Sequence, residues 1–129
     1  RILGPCRTLN QVELAYTDAI ALGFELPMRG SGSIEGTPGG MLMGPAGFFK
    51  MDHGVIRALR HVHMGPVDAD YYGVKQGDDV GLKISGPCSL TLEKMLVRVD
   101  PSFKLEVHID TDEGNACNLR SDSHCEIIT

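Results

Sequence analysis

Short apolar stretches, separated by turn-forming residues, recur along this chain. Several of them alternate apolar with polar positions or carry β-branched side chains, as strands do. In chain order, we predict strands at residues 11–15, 41–43, 54–64, 80–84, 90–92, 95–99 and 104–109. Many short strands at this spacing indicate a small β-barrel or sandwich.

Two segments predict short helices instead. In residues 17–23, Thr17 is a candidate N-cap and Gly23 a candidate left-handed end. Residues 65–73 place Pro66 in the first turn, where its missing N–H is tolerated, and end on a glycine.

A glycine-rich stretch at residues 29–40 is predicted to be a loop between strands. Such loops also bind phosphate in some proteins. This one lacks the lysine and the strand-to-helix context of a P-loop, so a plain turn is favoured.

Composition narrows the function classes. The chain has 129 residues, enough for one ordinary domain or two very small ones, and 42% of them are hydrophobic. A net charge of -5 argues against nucleic-acid binding. No apolar stretch approaches the ~20 residues that span a bilayer, so we expect no membrane partner. The four cysteines, without a dense framework, are expected to be reduced thiols of a cytoplasmic protein.

Three histidines are candidate metal ligands. His61 and His63 form an H-x-H pair, and positions two apart on a strand share one face. His108 alternates with apolar neighbours in the predicted strand 104–109. Three neutral imidazoles on paired strands form a zinc site that leaves positions open for water or substrate. An H-x-H pair alone is often only a surface pattern, and that alternative stays open.

Glu13 and Arg7 are weaker candidates. Glu13 lies between Val12 and Leu14 in a predicted strand, so it either projects towards a site or is a solvated carboxylate. Arg7 follows a Gly-Pro-Cys turn that can direct a guanidinium inward, where it would bind phosphate through two hydrogen bonds. The alternative is an ordinary surface charge.

Asp110, Asp112 and Glu113 form an acidic turn after the third histidine. They either support the histidines by hydrogen bonding or are a solvated strand end, and these two interpretations are equally favoured.

These motifs occur together in one family. The segments RHVHMGPVDADYYGVKQGD at 60–78, MLVRVDPSFKLEVHIDTDEGNA at 95–116 and GPCRTLNQVEL at 4–14 resemble the propanediol-utilisation type of phosphotransacylase (phosphate propanoyltransferase). The resemblance extends from residue 1 to about residue 119. Gly65 stands where the family usually has a helix-capping serine, and the tail from residue 118 matches no part of the family pattern.

The resemblance implies a mainly β fold with two small β-barrels in tandem and short helices. The barrels would occupy residues 1–57 and 58–129, the first being incomplete in this chain. Family members carry a further upstream segment with another H-x-H motif. We therefore expect this chain, which begins with arginine rather than methionine, to be part of a longer polypeptide or to have a companion chain.

The resemblance also implies two zinc ions per complete protein. His61, His63 and His108 would bind one ion, Glu13 would contribute to the other, and Arg7 would act in catalysis.

The implied reaction converts a short-chain acyl-CoA, such as propanoyl-CoA or acetyl-CoA, and phosphate into an acyl phosphate and free coenzyme A. A homodimer or higher oligomer and a place inside a bacterial microcompartment are further expectations. The alternatives are a non-catalytic, zinc-stabilised β-barrel that serves as a scaffold or regulatory domain, and a metal-dependent hydrolase.

Overall fold

Strands dominate this protein. The computed structural model describes residues 2–4 and 6–129, and 37% of the structure is strand and 15% helix. The prediction of a mainly β fold with short helices is therefore confirmed. The chain divides into two compact units, Arg1–Ala58 and Leu59–Thr129. The assignment of a small barrel to each of residues 1–57 and 58–129 stays a prediction.

The first unit combines a small parallel sheet with a hairpin. Its elements are β1 (Val12–Glu13), α1 (Tyr16–Ala21), β2 (Met28–Arg29), β3 (Gly40–Gly44), β4 (Gly47–Met51) and β5 (Val55–Ala58). Strand β5 lies between β1 and β2 and pairs in parallel with both, while β3 and β4 pair antiparallel. Residues 41–50 of the hairpin are exposed although several are large and apolar.

The helix α1 differs from the prediction at its start. It begins at Tyr16 after Ala15, which adopts an extended conformation, so Thr17 lies inside the helix and is not its cap. Ala15 is buried, and its carbonyl accepts from the Ala19 N–H at 3.0 Å, so the hydrogen bonding of the helix begins there. The predicted left-handed end is confirmed, since Gly23 has a φ of 75°.

The second unit contains a curled half-barrel sheet. Its elements are β6 (His61–Met64), α2 (Pro66–Tyr72), β7 (Asp79–Ser85), β8 (Leu90–Val99), β9 (Glu106–His108), α3 (Thr111–Ala116) and β10 (His124–Ile128). The strand order is β10-β7-β8-β6-β9, in which β6 and β8 are parallel and the other neighbours antiparallel. Alternate residues of the strands form one buried apolar cluster: Val62, Met64, Val80, Leu82, Ile84, Met95 and Val97.

The predicted strands are wrong at three places, one at the boundary between the units and two within the second unit. The predicted strand 54–64 is two strands, β5 and β6, which belong to different units. Residues 90–92 and 95–99 form the single strand β8. A β-bulge at Lys94, with a φ of 55°, joins its halves where the register with β7 shifts. The tail beyond residue 118, which had no assigned structure, supplies β10.

The helix α2 confirms its prediction. It begins at Pro66 and ends at Gly73, which has a φ of 67°. The Gly65 N–H donates to the Asp68 carboxylate at 2.9 Å, so one of the orphan donors at this helix start is satisfied without a capping serine. None of the described helices is long and apolar enough to cross a membrane.

We expect Ile84→Ala to lower the free energy of unfolding of the second unit by about 2–5 kcal/mol, because it leaves a cavity in this apolar cluster. Ile84 is 1% exposed. The matched control is Lys83→Ala on the same strand, whose exposed side chain makes a loose ion pair with Glu126 at 3.8 Å. The control should change stability by less than about 1 kcal/mol. Urea unfolding followed by circular dichroism measures both, and equal losses in the two variants would contradict this core assignment.

Candidate metal centre

Strand pairing brings three imidazoles together. In the antiparallel register of β6 and β9, His61 lies directly opposite His108, and His63 follows two residues further along β6 on the same face. The His61 and His108 rings are stacked with centroids 4.6 Å apart. The His63 ring lies 4.9 Å from His61 and 4.4 Å from His108. One ring nitrogen from each histidine lies within 4.8 Å of the others.

The ring nitrogens of this cluster suit a metal ion. The Nδ1 atom of His61 lies 2.9 Å from the Leu59 carbonyl oxygen. A carbonyl only accepts, so Nδ1 carries the proton and the lone pair of His61 is on Nε2. The Nε2 atoms of His63 and His108 are buried and have no hydrogen-bond partner among the described residues. The Glu106 carboxylate lies 3.6 Å from His108 Nε2, which is too long for a hydrogen bond.

Two buried nitrogens without partners are costly, at about 1–3 kcal/mol each. A cation that accepts their lone pairs would remove this cost. Three imidazoles with open positions are also a known ligand set of zinc. The residues present therefore fit a zinc ion.

The electrostatics of the cluster favour a neutral His63 ring, the form that binds a metal. The pKa of His63 is lowered from 6.5 to about 4, chiefly because burial disfavours the charged ring and next because of the neighbouring His108. His61 and Arg98 lower the pKa further, and Glu106 partly opposes them. At neutral pH the His63 imidazole is therefore uncharged, which is the form that binds metals.

The short helix α3 is linked to the segments that carry His61 and His108. Asp110 is the N-cap of α3 and accepts from the Glu113 N–H at 2.8 Å, while its own N–H donates to the Glu113 carboxylate at 3.0 Å. The other Glu113 oxygen lies 2.9 Å from the Arg60 Nε. This chain of contacts links the residue before His61 to the helix after His108. The acidic turn is thus a capped helix start, in which Asp110 and Glu113 are partly buried.

Phe103 is a neighbour of the cluster that sequence reasoning missed. It lies between β8 and β9, and its ring stacks on His63 with centroids 3.9 Å apart and planes 13° apart. The signal available in the sequence was a lone aromatic residue in the turn Asp100-Pro101-Ser102-Phe103.

Arg7 and Glu13 belong to the first unit. Glu13 is exposed at the end of β1, and its carboxylate accepts from the Gln11 amide at 2.6 Å. The strand predicted at 11–15 is only the two residues of β1. Arg7 is exposed ahead of β1. Pro5, from the turn predicted to direct Arg7, lies outside the described residues. The roles assigned to Arg7 and Glu13 stay predictions.

Comparison with known proteins identifies relatives over nearly the whole chain. The sequence profile of a family described as phosphate propanoyltransferase matches residues 1–120. Proteins named phosphate propanoyltransferase are 58% identical in Planctopirus limnophila over 129 residues, 49% in Thermotoga maritima over 122 and 50% in Citrobacter freundii over 117. These alignments cover 99%, 94% and 90% of this chain, but 53%, 58% and 56% of the relatives. The chain spans about half the length of the curated relatives it matches.

The low pKa of His63 is directly measurable. In protein stripped of metal by a chelator, we expect the imidazole to titrate near pH 4 rather than 6.5. Between pH 4 and pH 6.5, His63 is protonated in the unfolded chain but neutral in the folded protein. The contribution of His63 to stability is therefore complete above about pH 6.5 and is lost as the pH falls towards 4. NMR of the ring nitrogens measures the pKa, and His108→Ala should raise it because one cause of the shift is removed. A value near 6.5 in the unmodified protein would refute this description of the cluster.

Proposed function

Because this chain belongs to the phosphate propanoyltransferase family, we propose that it forms the metal-binding part of an enzyme that transfers a short acyl group from coenzyme A to phosphate. The observation that carries the proposal is the cluster of three imidazoles, in which two buried Nε2 atoms lack partners among the residues described. Propanoyl-CoA and acetyl-CoA are the proposed donors, and an acyl phosphate and free coenzyme A are the products.

In this proposal His61, His63 and His108 hold one zinc ion, and Glu13 contributes to a second. Zinc, when bound, supplies a Lewis acid beside two reactants that both carry negative charge. The contribution of the chain is to present a neutral His63 and to bring the three imidazoles together before the metal binds. The low pKa of His63 and the bond from His61 to the Leu59 carbonyl support that role.

The chemical step is a direct displacement. A phosphate oxygen attacks the thioester carbonyl carbon, the C–S bond breaks, and coenzyme A leaves as its thiolate. Arg7 donates two N–H groups to the carbonyl oxygen as negative charge develops there. No acyl-enzyme is needed because phosphate is itself the nucleophile. Holding the two substrates together contributes up to ~7–11 kcal/mol of barrier reduction in ideal cases.

One observation favours a second candidate function. All three histidines come from strands of the second unit, so a metal there would stabilise that unit whether or not the protein is an enzyme. A non-catalytic, zinc-stabilised scaffold or regulatory domain is therefore the alternative. An assay of acyl transfer to phosphate separates the two candidates, because only the enzyme would carry out this reaction. Comparing thiol release with and without phosphate also separates transfer from hydrolysis, which needs no phosphate.

The assembly and location of the protein are further parts of the proposal. The family resemblance supports a homodimer or higher oligomer and a place inside a bacterial microcompartment. Sedimentation of the purified protein tests the oligomeric state, and co-purification with microcompartment shells tests the location.

We expect His108→Ala in the full-length protein to remove about one zinc ion per chain and to lower acyl transfer by more than roughly 100-fold, because a ligand is lost rather than a group that merely orients one. Metal content is measured by atomic emission, and activity by phosphate-dependent thiol release. The matched control is His124→Ala, an exposed histidine on β10, which should keep both. Unchanged zinc and turnover in His108→Ala would remove His108 from the ligand set.

We expect Arg7→Lys to keep the zinc content but to lower kcat about 100-fold, because lysine cannot offer the forked pair of donors to the oxyanion. The matched control is Arg29→Lys, an exposed arginine of the same unit. Steady-state kinetics with saturating phosphate measure the effect. Equal rates in both variants would show that Arg7 is only a surface charge.

A further inference from the structure

Phe103 makes the closest ring contact of the histidine cluster. Its ring lies 3.9 Å from that of His63, whereas the imidazoles lie 4.4 to 4.9 Å from one another. The planes of Phe103 and His63 are only 13° apart, so the phenyl ring covers one face of the imidazole. Any tilt of that imidazole towards Phe103 would meet the phenyl carbons.

The three imidazoles differ in what orients them. His61 has the Leu59 carbonyl as a polar partner, and His108 stacks on His61 with planes 4° apart. None of the hydrogen bonds between the described residues involves the His63 ring, and its Nε2 is buried without a partner in that part of the chain. Packing must therefore set the orientation of His63, and Phe103 is the ring most nearly parallel to it.

The turn that carries Phe103 is firmly attached to the strand that carries His63. The Phe103 N–H donates to the Asp100 carbonyl at 3.0 Å, and the Ser102 N–H donates to the Asp100 carboxylate at 2.8 Å. The Asp100 N–H in turn donates to the carbonyl of Met64, the residue that follows His63 on β6. The phenyl ring and the imidazole are therefore held on one connected piece of backbone.

The surroundings of Phe103 are not those of an ordinary core residue. Its ring is only half-buried, and the Arg98 guanidinium carbon lies 5.9 Å from its centroid, within the range of a cation–π contact. An imidazole stacks on the ring and a guanidinium lies near it, and Phe103 is not part of the buried apolar cluster of this unit.

We propose that Phe103 is a positioning residue of the metal centre, whose ring holds the His63 imidazole so that its Nε2 faces the nitrogens of His61 and His108. This inference rests on the proposed function, because it takes His63 to be a ligand. Phe103 itself contacts neither metal nor substrate in this proposal. The Phe103 ring restricts the His63 side chain before the metal binds, so less conformational freedom is lost on binding.

Cobalt(II) titration of the full-length protein, after zinc is removed by a chelator, tests the proposal. We expect Phe103→Leu to weaken binding at the three-histidine site roughly tenfold and to change the visible absorption bands of the bound cobalt, because the freed imidazole no longer has a fixed orientation. Phe103→Tyr keeps the flat ring and should restore both affinity and spectrum. The matched control is Phe49→Leu, the same substitution at an exposed site on β4, which should leave both unchanged.

Two further variants make the outcomes distinct. Phe103→Met keeps the apolar volume without the ring, and it replaces Phe103→Leu if circular dichroism shows that the leucine variant does not fold. His63→Ala tests the ligand itself and should abolish binding at this site. A loss of apo-protein stability in Phe103→Leu or Phe103→Met, with cobalt affinity and spectrum unchanged, would show that the ring is only structural and would overturn the inference.

The proposed function and this inference fail differently. If His63→Ala loses cobalt while both non-aromatic variants bind it normally, the metal site stands and the role of Phe103 is wrong. If His63→Ala binds cobalt like the unmodified protein, the three-histidine site itself is wrong, and the inference about Phe103 falls with it.

Discussion

The site depends on how β6 pairs with its two neighbours, β8 in parallel and β9 antiparallel. Its antiparallel register with β9 places His61 opposite His108, and the pleat of β6 adds His63 to the same face. The other face of β6 carries Val62 and Met64, both fully buried. A slip of one residue would expose these two side chains and turn the histidines into the core, so the apolar packing also maintains the register of the site.

The same geometry creates an unfavourable local arrangement that a cation would relieve. Two buried Nε2 atoms, of His63 and His108, lack hydrogen-bond partners in the described part of the chain. Burial lowers the pKa of His63, so at neutral pH that ring does not gain a charge that would compensate. The buried residues on the opposite face of β6 keep the strands in register, so the three imidazoles stay on one face of the sheet. A fold that maintains such a cluster has the properties of a preorganised metal site, and this links the geometry to the proposed transfer chemistry.

Rigid support reaches the cluster from several directions. A backbone carbonyl orients His61, the Phe103 ring covers His63, and the cap of α3 begins directly after the strand of His108. The ion pair between Arg60 and Glu113 then connects that helix back to β6. These contacts come from turns and helix ends, whereas the histidines themselves lie on strands. The sheet thus sets which rings meet, and the connecting segments set how each ring is oriented.

The sequence by itself determined the mainly β character, the helix from Pro66 with its glycine end, and the H-x-H face, because each depends on a local period or on residues that start and stop an element. The motifs it shares with a known family also identified the family. Only the tertiary structure decided that residues 54–64 are divided between two units, that β8 continues through the bulge at Lys94, and that the tail supplies β10. The stacking of Phe103 on the cluster was decided in the same way. Strand partners and ring contacts join residues far apart in the sequence, and local periodicity carries no information about which distant segment will pack against which.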